Sequence, residues 1–523
     1  MARIAIIGAG HNGLVCANYL ARAGHSVTLF EQHRLLGGAA RTDEETFPGY
    51  KLSSCSYVCS LFMTKIVQDL GLKKHGYEII NRDPALFKPT LDGRFLSLGR
   101  SAEENFRQMA KFSQKDAEMF SRYEADHSCI GEFVEKFLLE TPPSMPPRSW
   151  ADVRDLLKAA GRTLALGPRA HVRLLELVMR SPQAVLSKYF ESDVIRSAML
   201  PDATIGSLDI SALLLILHQF MGEAGGARGV WGFQRGGMGG ISKALAQAGK
   251  EYGVEIRLNE PVESIRFSKS GVANGVYLES GEIVSADVIV SNATPHETFT
   301  RLVPAGECPT GYLKRVESDD YTSGVMKVNA ILRGLPDFRA LRGFKNPAHF
   351  IKGTIHISPS TAYIERALSQ AKKGESSKRP LIEMTIPSIV DDTLAPVGHH
   401  VMSMFVQYTP YYPKSGEWTP ERKERYFREN ILGAIRPFVT NIDEMIIDAQ
   451  ILAPPDLYEQ FRLTGGNIFH GGMKLSQMYF LRHLYRTPKK GLYLCGAGTH
   501  PGGGVMGACG HNAAREINHD LSR

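Results

Sequence analysis

Arg-Ile-Ala-Ile-Ile-Gly-Ala-Gly-His-Asn-Gly occupies residues 3–13, and its reading decides the fold. The first five residues form an apolar run with nothing in it to break a strand. Gly8, Gly10 and Gly13 follow at the spacing GxGxxG. Leu14, Ala17 and Leu20 then recur at helical spacing, Gly24 closes that helix, and residues 27–30 form a second apolar run ending on Glu31. The segment reads as strand, glycine turn, helix, strand. Gly8 lets the chain turn tightly. Gly10 admits a pyrophosphate where a Cβ would collide, and Gly13 lets the helix pack against the strand. The helix start, which includes Asn12, turns unpaired N–H groups and a partial positive charge toward the phosphates. Glu31 follows Gly13 by 18 residues, where a carboxylate accepts ribose hydroxyls and repels a 2′-phosphate.

The pattern continues into Gly37-Gly38-Ala39-Ala40-Arg41-Thr42. A nicotinamide domain does not need this second glycine pair and arginine; a bulkier dinucleotide does. Near the other end, residues 491–495 (Gly-Leu-Tyr-Leu-Cys) read as a buried strand. Gly496, Ala497, Pro501, Gly503, Gly504, Val505 and Met506 lie in the glycine-rich turn after it, and a helix follows to about Leu521. That order repeats the physics of the opening.

These stretches resemble the FAD-binding segments of the large family that holds phytoene desaturases, amine oxidases and retinol saturase. A closer likeness to one branch of that family rests on residues 112–117, 466–473, 492–496 and 500–507. The resemblance implies an α/β fold: a Rossmann-type FAD-binding domain of the glutathione reductase-like kind, a mixed-sheet substrate domain and a helical cap. The expected divisions are a discontinuous FAD-binding domain (1–75, 225–300 and 450–523), a mainly helical cap (76–224) and a mixed sheet (301–449). The resemblance further implies that Val262, after the bend at Pro261, offers its backbone to the adenine. It also implies that the segment around Tyr57 passes beneath the flavin ring. Backbone N–H groups near Val505 and Met506 would hold the pyrimidine edge. Ala497 stands where many flavoproteins carry a carboxylate, so ribityl and phosphate contacts fall to backbone N–H groups.

At 523 residues the chain is too long for one simple core, and two joined domains are expected. Hydrophobic residues at 43% and charged residues at 22% fit a globular enzyme. The formal charge of +7 does not by itself call for nucleic acid, and no RNP, zinc-knuckle or helix-turn-helix pattern is present. None of the seven cysteines forms a CxxC, and there is no second GxGxxG. A disulfide reductase needs both, so that activity is not expected. No metal is expected either, because His399, His400 and His511 are scattered without ligand spacing. The first strand begins almost at Met1 and no apolar run approaches the roughly 20 residues of a membrane span. Both point to the cytoplasm, with the mitochondrial matrix as the alternative offered by the resemblance.

Residues 151–188 are amphipathic and carry seven cations against three carboxylates, a net of +4. They read either as a cap touching a membrane surface, or as a solvated face or dimer surface; a homodimer is implied by the resemblance alone. Residues 225–240 are glycine-rich, with no strand leading into the helix that carries Ile241, Leu245 and Ala248. Tyr408, Tyr411 and Tyr412 read as an aromatic cluster, in a pocket lining or in the core. Tyr57 reads as a cavity residue or as an ordinary buried aromatic. His470 sits among glycines that leave it room and reads as a polar group at the cavity or as a structural histidine. Three functions fit: hydride removal from an apolar, lipid- or polyene-like substrate, with oxygen, a quinone or another acceptor; a flavin amine oxidase; or a flavin-bound partner-binding protein with little turnover.

Overall fold

The computed structural model describes residues 1–143, 147, 150–206, 208, 211–224, 227–473 and 475–523. Gly225 and Gly226, which open the second glycine-rich stretch, lie outside them. The opening unit folds as β1 (Arg3–Ile7), α1 (His11–Arg22) and β2 (Ser26–Glu31). Three later strands join it: β3 (Glu255–Leu258), β4 (Val288–Ser291) and β5 (Leu492–Leu494). They form one all-parallel sheet in the order β3-β2-β1-β4-β5.

The continuous apolar runs follow from this placement, since a parallel sheet covered on both faces has no solvent side. Ile4 and Ile6 of β1 pack with Leu14, Ala17, Leu245 and Ile517 from α1, α2 (Gly239–Glu251) and α3 (Ala508–Leu521). The alternate residues Ala5 and Ile7 pack with Val276 and Leu278 of a small antiparallel sheet on the other face. The bend expected at Pro261 is a change of sheet: β3 ends at Leu258, and Val262–Phe267 starts that small sheet.

A seven-stranded mixed sheet forms the second layer. Its order is Ile446–Leu452, Val325–Leu332, His400–Gln407, Leu381–Thr385, Thr354–Ile357, Leu86–Pro89 and Phe95–Leu98. The last two strands come from the segment read as mainly helical. Helices Ala102–Ala110, Gln114–Leu138, Trp150–Leu164 and Gly167–Met179 are the long elements of the rest of that segment. A short strand, Gly232–Gln234, does lead toward α2, contrary to the expectation; it pairs with Ile79–Asn81 and forms no dinucleotide turn. The three tyrosines do not form one cluster. Tyr408 is buried and donates to the Thr204 carbonyl at 3.0 Å, whereas Tyr411 and Tyr412 pair with each other and Tyr412 is exposed.

The first and last helices touch backbone to backbone. A Cβ at Gly510 of α3 would stand 2.1 Å from the Asn12 carbonyl oxygen of α1. Gly510→Ala is therefore expected to lower stability by about 1–3 kcal/mol through overpacking. Gly161→Ala, in a helix where an added Cβ meets nothing within 4 Å, should be neutral or stabilising by up to about 1 kcal/mol. Thermal unfolding of the two variants checks the contrast.

Candidate functional site

The strand order reverses between β1 and its neighbours, and a cleft opens at the carboxyl ends of β1, β2 and β4. The two N-terminal glycine segments form its floor side by side. Gly10 and Gly37 pair as an isolated bridge, and the Gly37 N–H donates to the Ala9 carbonyl at 3.0 Å. Gly37 (φ +112°) and Gly38 (φ +54°) adopt backbone conformations that other residues avoid. No side chain caps α1, so the N–H groups of its first turn are left for an anion.

Glu31 is 7% exposed and fixes this floor. Its two oxygens accept from the Ala9 N–H at 2.7 Å and the His33 N–H at 3.0 Å. Burial pushes its carboxyl above the usual range, opposed by those N–H groups and by Arg41. The Arg41 guanidinium stacks over Phe461 at 4.5 Å, and its Nε is buried without a partner. His11 Nε2 and His470 Nδ1 are likewise buried and unpartnered. All three side chains line the cleft.

Of the residues singled out from sequence, Gly8, Gly10, Asn12, Glu31, Gly37, Gly38, Ala39, Arg41, Val262 and Ala497 line this cleft. Gly13 and Gly496 do not; a Cβ on them would meet backbone oxygens at 2.2 and 2.5 Å, so they are packing points. Ala39, His11, His470 and Ala497 also border a second cavity, which adds Tyr57, Trp231, Phe405, Phe469, Gly503, Gly504 and Val505. Pro501 and Met506 face a third cavity, of about 560 Å³ and mostly apolar, which meets the second at Leu217 and Gly503.

His470 has φ +56° and stands at the junction of cleft and second cavity. Burial, then Arg482 and His11, pull its pKa down to about 3; burial takes His11 to about 4. Both imidazoles are neutral at pH 7. Sequence reading missed Arg482, a buried cation that donates to the Phe469 carbonyl at 2.7 Å and the Ala497 carbonyl at 3.0 Å, tying the two loops together. It also missed Asn292, whose amide donates to the Gly8 carbonyl at 3.2 Å. Its only trace was its place at the end of the β4 run.

Tyr57 is half-buried and borders the second cavity. Its hydroxyl donates to Glu383 Oε2 at 2.9 Å, and Lys327 Nζ lies 4.7 Å from its ring. All seven cysteines are free, and burial pushes the Cys55 and Cys59 thiols up to about 11, so they offer no reactive dithiol.

The family model described as flavin containing amine oxidoreductase matches residues 13–328. The rat protein named pyridine nucleotide-disulfide oxidoreductase domain-containing protein 2 is 38% identical over 99% of this chain and 93% of its own. The chain belongs to the flavin containing amine oxidoreductase family. It is also 25% identical to a limonene dehydrogenase component from Castellaniella defragrans, over 99% of this chain and 94% of the relative. Among solved structures, putrescine oxidase bound to putrescine superposes with a TM-score of 0.61 at 16% identity, covering 100% of this chain and 99% of that one, and supports the fold.

This family member is an FAD-dependent oxidoreductase and not a disulfide reductase. Its residues fit FAD: an uncapped helix start, two glycine segments paired along the cleft floor, and three unpartnered buried polar atoms on side chains that line one cleft. Bound FAD supplies a two-electron acceptor. The first-turn N–H groups of α1 would take the phosphates, and Glu31 the ribose. Removing Glu31 also strands the Ala9 and His33 N–H groups. Glu31→Ala is therefore expected to weaken FAD binding at least about tenfold, read as the FAD dissociation constant on reconstitution of the apoprotein.

Proposed function

We propose that this FAD-dependent enzyme oxidises an apolar, lipid- or polyene-like substrate, with oxygen, a quinone or another carrier as the final acceptor. The third cavity carries this reading. Phe133, Phe137, Leu156, Leu174 and Met478 line it, and it reaches Gly503 beside the C-terminal flavin loop. The relative named as a limonene dehydrogenase is compatible with it.

Bound FAD would accept the hydride of a substrate C–H bond, both electrons of that bond leaving with the hydrogen. The proton of the adjacent carbon would pass to bulk solvent, and the electron pair it leaves closes a carbon–carbon double bond. The protein's part is orientation and exclusion of water. His470, at a pKa near 3, is too weak a base to keep that proton at neutral pH, so it acts as a neutral hydrogen-bonding wall. Tyr57 is held well above its ordinary value by burial and Glu383, so it acts as a donor.

Access would come through the cap. The helices Trp150–Leu164 and Gly167–Met179 turn Leu156, Ala159, Leu174 and Val178 inward onto the cavity. Their other side exposes Trp150 (88%), Leu157 (68%), Leu164 (76%), Leu175 (62%) and Met179 (74%), among the arginines and lysines of residues 151–188. An unpartnered apolar face with a net positive charge fits an anionic bilayer surface. Among the described residues no helix is long and apolar enough to cross a membrane.

The second reading is oxidation of an amine at the flavin. Four aromatic side chains around the second cavity favour it, as does the buried Lys327, pulled down to about 7. Anaerobic reduction of the FAD-loaded protein separates the two. A conjugated polyene in vesicles is expected to bleach the oxidised flavin band, and butylamine is not; the reverse result establishes amine oxidation. Flotation with vesicles tests the cap: Leu157→Asp with Leu175→Asp should cut binding to anionic vesicles at least about tenfold while leaving FAD content unchanged.

A further inference from the structure

Beyond Tyr57 a fourth cavity opens. It shares Tyr57, Val58, Ile205, His218 and Trp231 with the second cavity, and its wall carries Asp202, His356 and Glu383. One side-chain donor atom from each of these three lies within 4.8 Å of the others. His356 and Glu383 are each 3% exposed. His356 Nδ1 donates to the Ala198 carbonyl at 3.0 Å, which leaves Nε2 as a bare acceptor. Tyr57 occupies Glu383 Oε2, and Glu383 Oε1 is buried with no partner. Asp202 Oδ2 accepts from Gln219 at 2.6 Å. Three acceptors therefore converge with no donor between them.

The charge count selects the donor. At the cluster two carboxylates, Asp202 and Glu383, face one guanidinium, Arg82, which is tied to Thr354 and the Trp231 carbonyl; a third carboxylate, Glu124, lines the cavity outside the cluster. One negative charge is left over at the cluster. A divalent ion would leave a buried excess of positive charge beside Arg82; a monocation with three N–H donors matches both the count and the acceptors.

We propose that this chamber binds the single cationic end, a primary ammonium, of an otherwise apolar substrate, while the carbon to be oxidised lies beside the flavin loop. The inference rests on the apolar-substrate reading above. The ammonium is an anchor and stays on the product. Without it a proton takes its place. Burial and the neighbouring Asp202 carboxylate push Glu383 up to about 8, and burial pushes Asp202 to about 6. The other groups facing Glu383 are Tyr57, Arg82 and Tyr408. Lys88, behind His356, is pulled to about 7 by burial, and its raising partner is Asp193, not the three acceptors. Glu383 must lose its proton to accept an ammonium, so affinity should rise from pH 6 to about pH 8.

Titration of octylamine, octanol, octanoate and butylamine into the FAD-loaded protein, followed by the bound-flavin spectrum, tests this. At pH 8 octylamine should bind at least about tenfold more tightly than octanol and octanoate. Glu383→Gln and Asp202→Asn should each bring octylamine close to octanol, with octanol affinity unchanged as the sign of an intact fold. An amine preference that is missing, or that survives in both variants, overturns the proposal, as does Zn²⁺ alone binding more tightly than octylamine. Butylamine equal to octylamine, with the preference lost in the variants, upholds the chamber and overturns the apolar-substrate reading. Chain-length-dependent alcohol binding without amine preference does the opposite.

Discussion

Backbone pressed against backbone without side chains between is the constraint on which this structure depends. A Cβ at Gly13 would lie 2.2 Å from the Gly8 oxygen, at Gly496 2.5 Å from the Asn292 oxygen, and at Gly510 2.1 Å from the Asn12 oxygen. These contacts join the first turn of the chain to β4 and to its last helix. They hold the α1 N-terminus, the Asn292 amide and the C-terminal loop around one cleft. The joined segments are almost 500 residues apart in sequence. Loop-closure entropy grows only with the logarithm of length, so a large inserted sheet and cap cost little once the glycine contacts form.

What the inserted layers build is a row of cavities of changing polarity. The π-helical turn Ile216–Phe220 divides them. Leu217 borders the second and third cavities, and the next residue, His218, borders the second and fourth. His218 is fixed from two sides. Its Nδ1 donates to the Asp202 carbonyl at 2.6 Å, and its own carbonyl accepts from the Trp231 indole at 2.6 Å. The irregular turn thereby gives consecutive residues to different chambers, a use of π-bulges found at functional sites.

The nucleotide layer was legible because each of its elements is a local signal: an apolar run, a glycine turn, an amphipathic helix. The helix ending at Leu521 and the strand Leu492–Leu494 fall where those signals put them. The polar chamber was not legible for the converse reason. Asp202 lies in a short helical turn, His356 and Glu383 on separate strands, and nothing in any one segment marks them as partners. Glu383 sits in Leu-Ile-Glu-Met-Thr, where alternation reads it as an outward residue; the structure buries both faces of that strand. Tyr57 was open between two roles because its segment shows no periodicity; in the fold it is half-buried and borders two cavities. Met506 and Pro501 were expected at the flavin from their position in the glycine loop, Met506 through its backbone N–H; both residues also line the apolar cavity. Sequence order locates a loop, and side-chain direction depends on what packs behind it.

The electrostatics of the chambers bear on the chemistry they can host. Three titratable groups around the second cavity are held in neutral forms: His11 and His470 far below their ordinary values, Tyr57 far above. A neutral wall neither donates nor removes protons readily, which suits transfer of a hydride from carbon more than acid–base catalysis on a polar group. Charge is instead set apart, with Arg82 and two carboxylates behind Tyr57 and Arg482 bonded to backbone carbonyls behind the glycine loops. Buried charges are costly unless each has its partners. Arg482 is held by carbonyls, whereas one carboxylate oxygen of Glu383 remains bare. Unmet groups stand at both ends of the row of cavities: Arg41 Nε, His11 Nε2 and His470 Nδ1 at the cleft, and Glu383 Oε1, a carboxylate oxygen, in the chamber behind Tyr57.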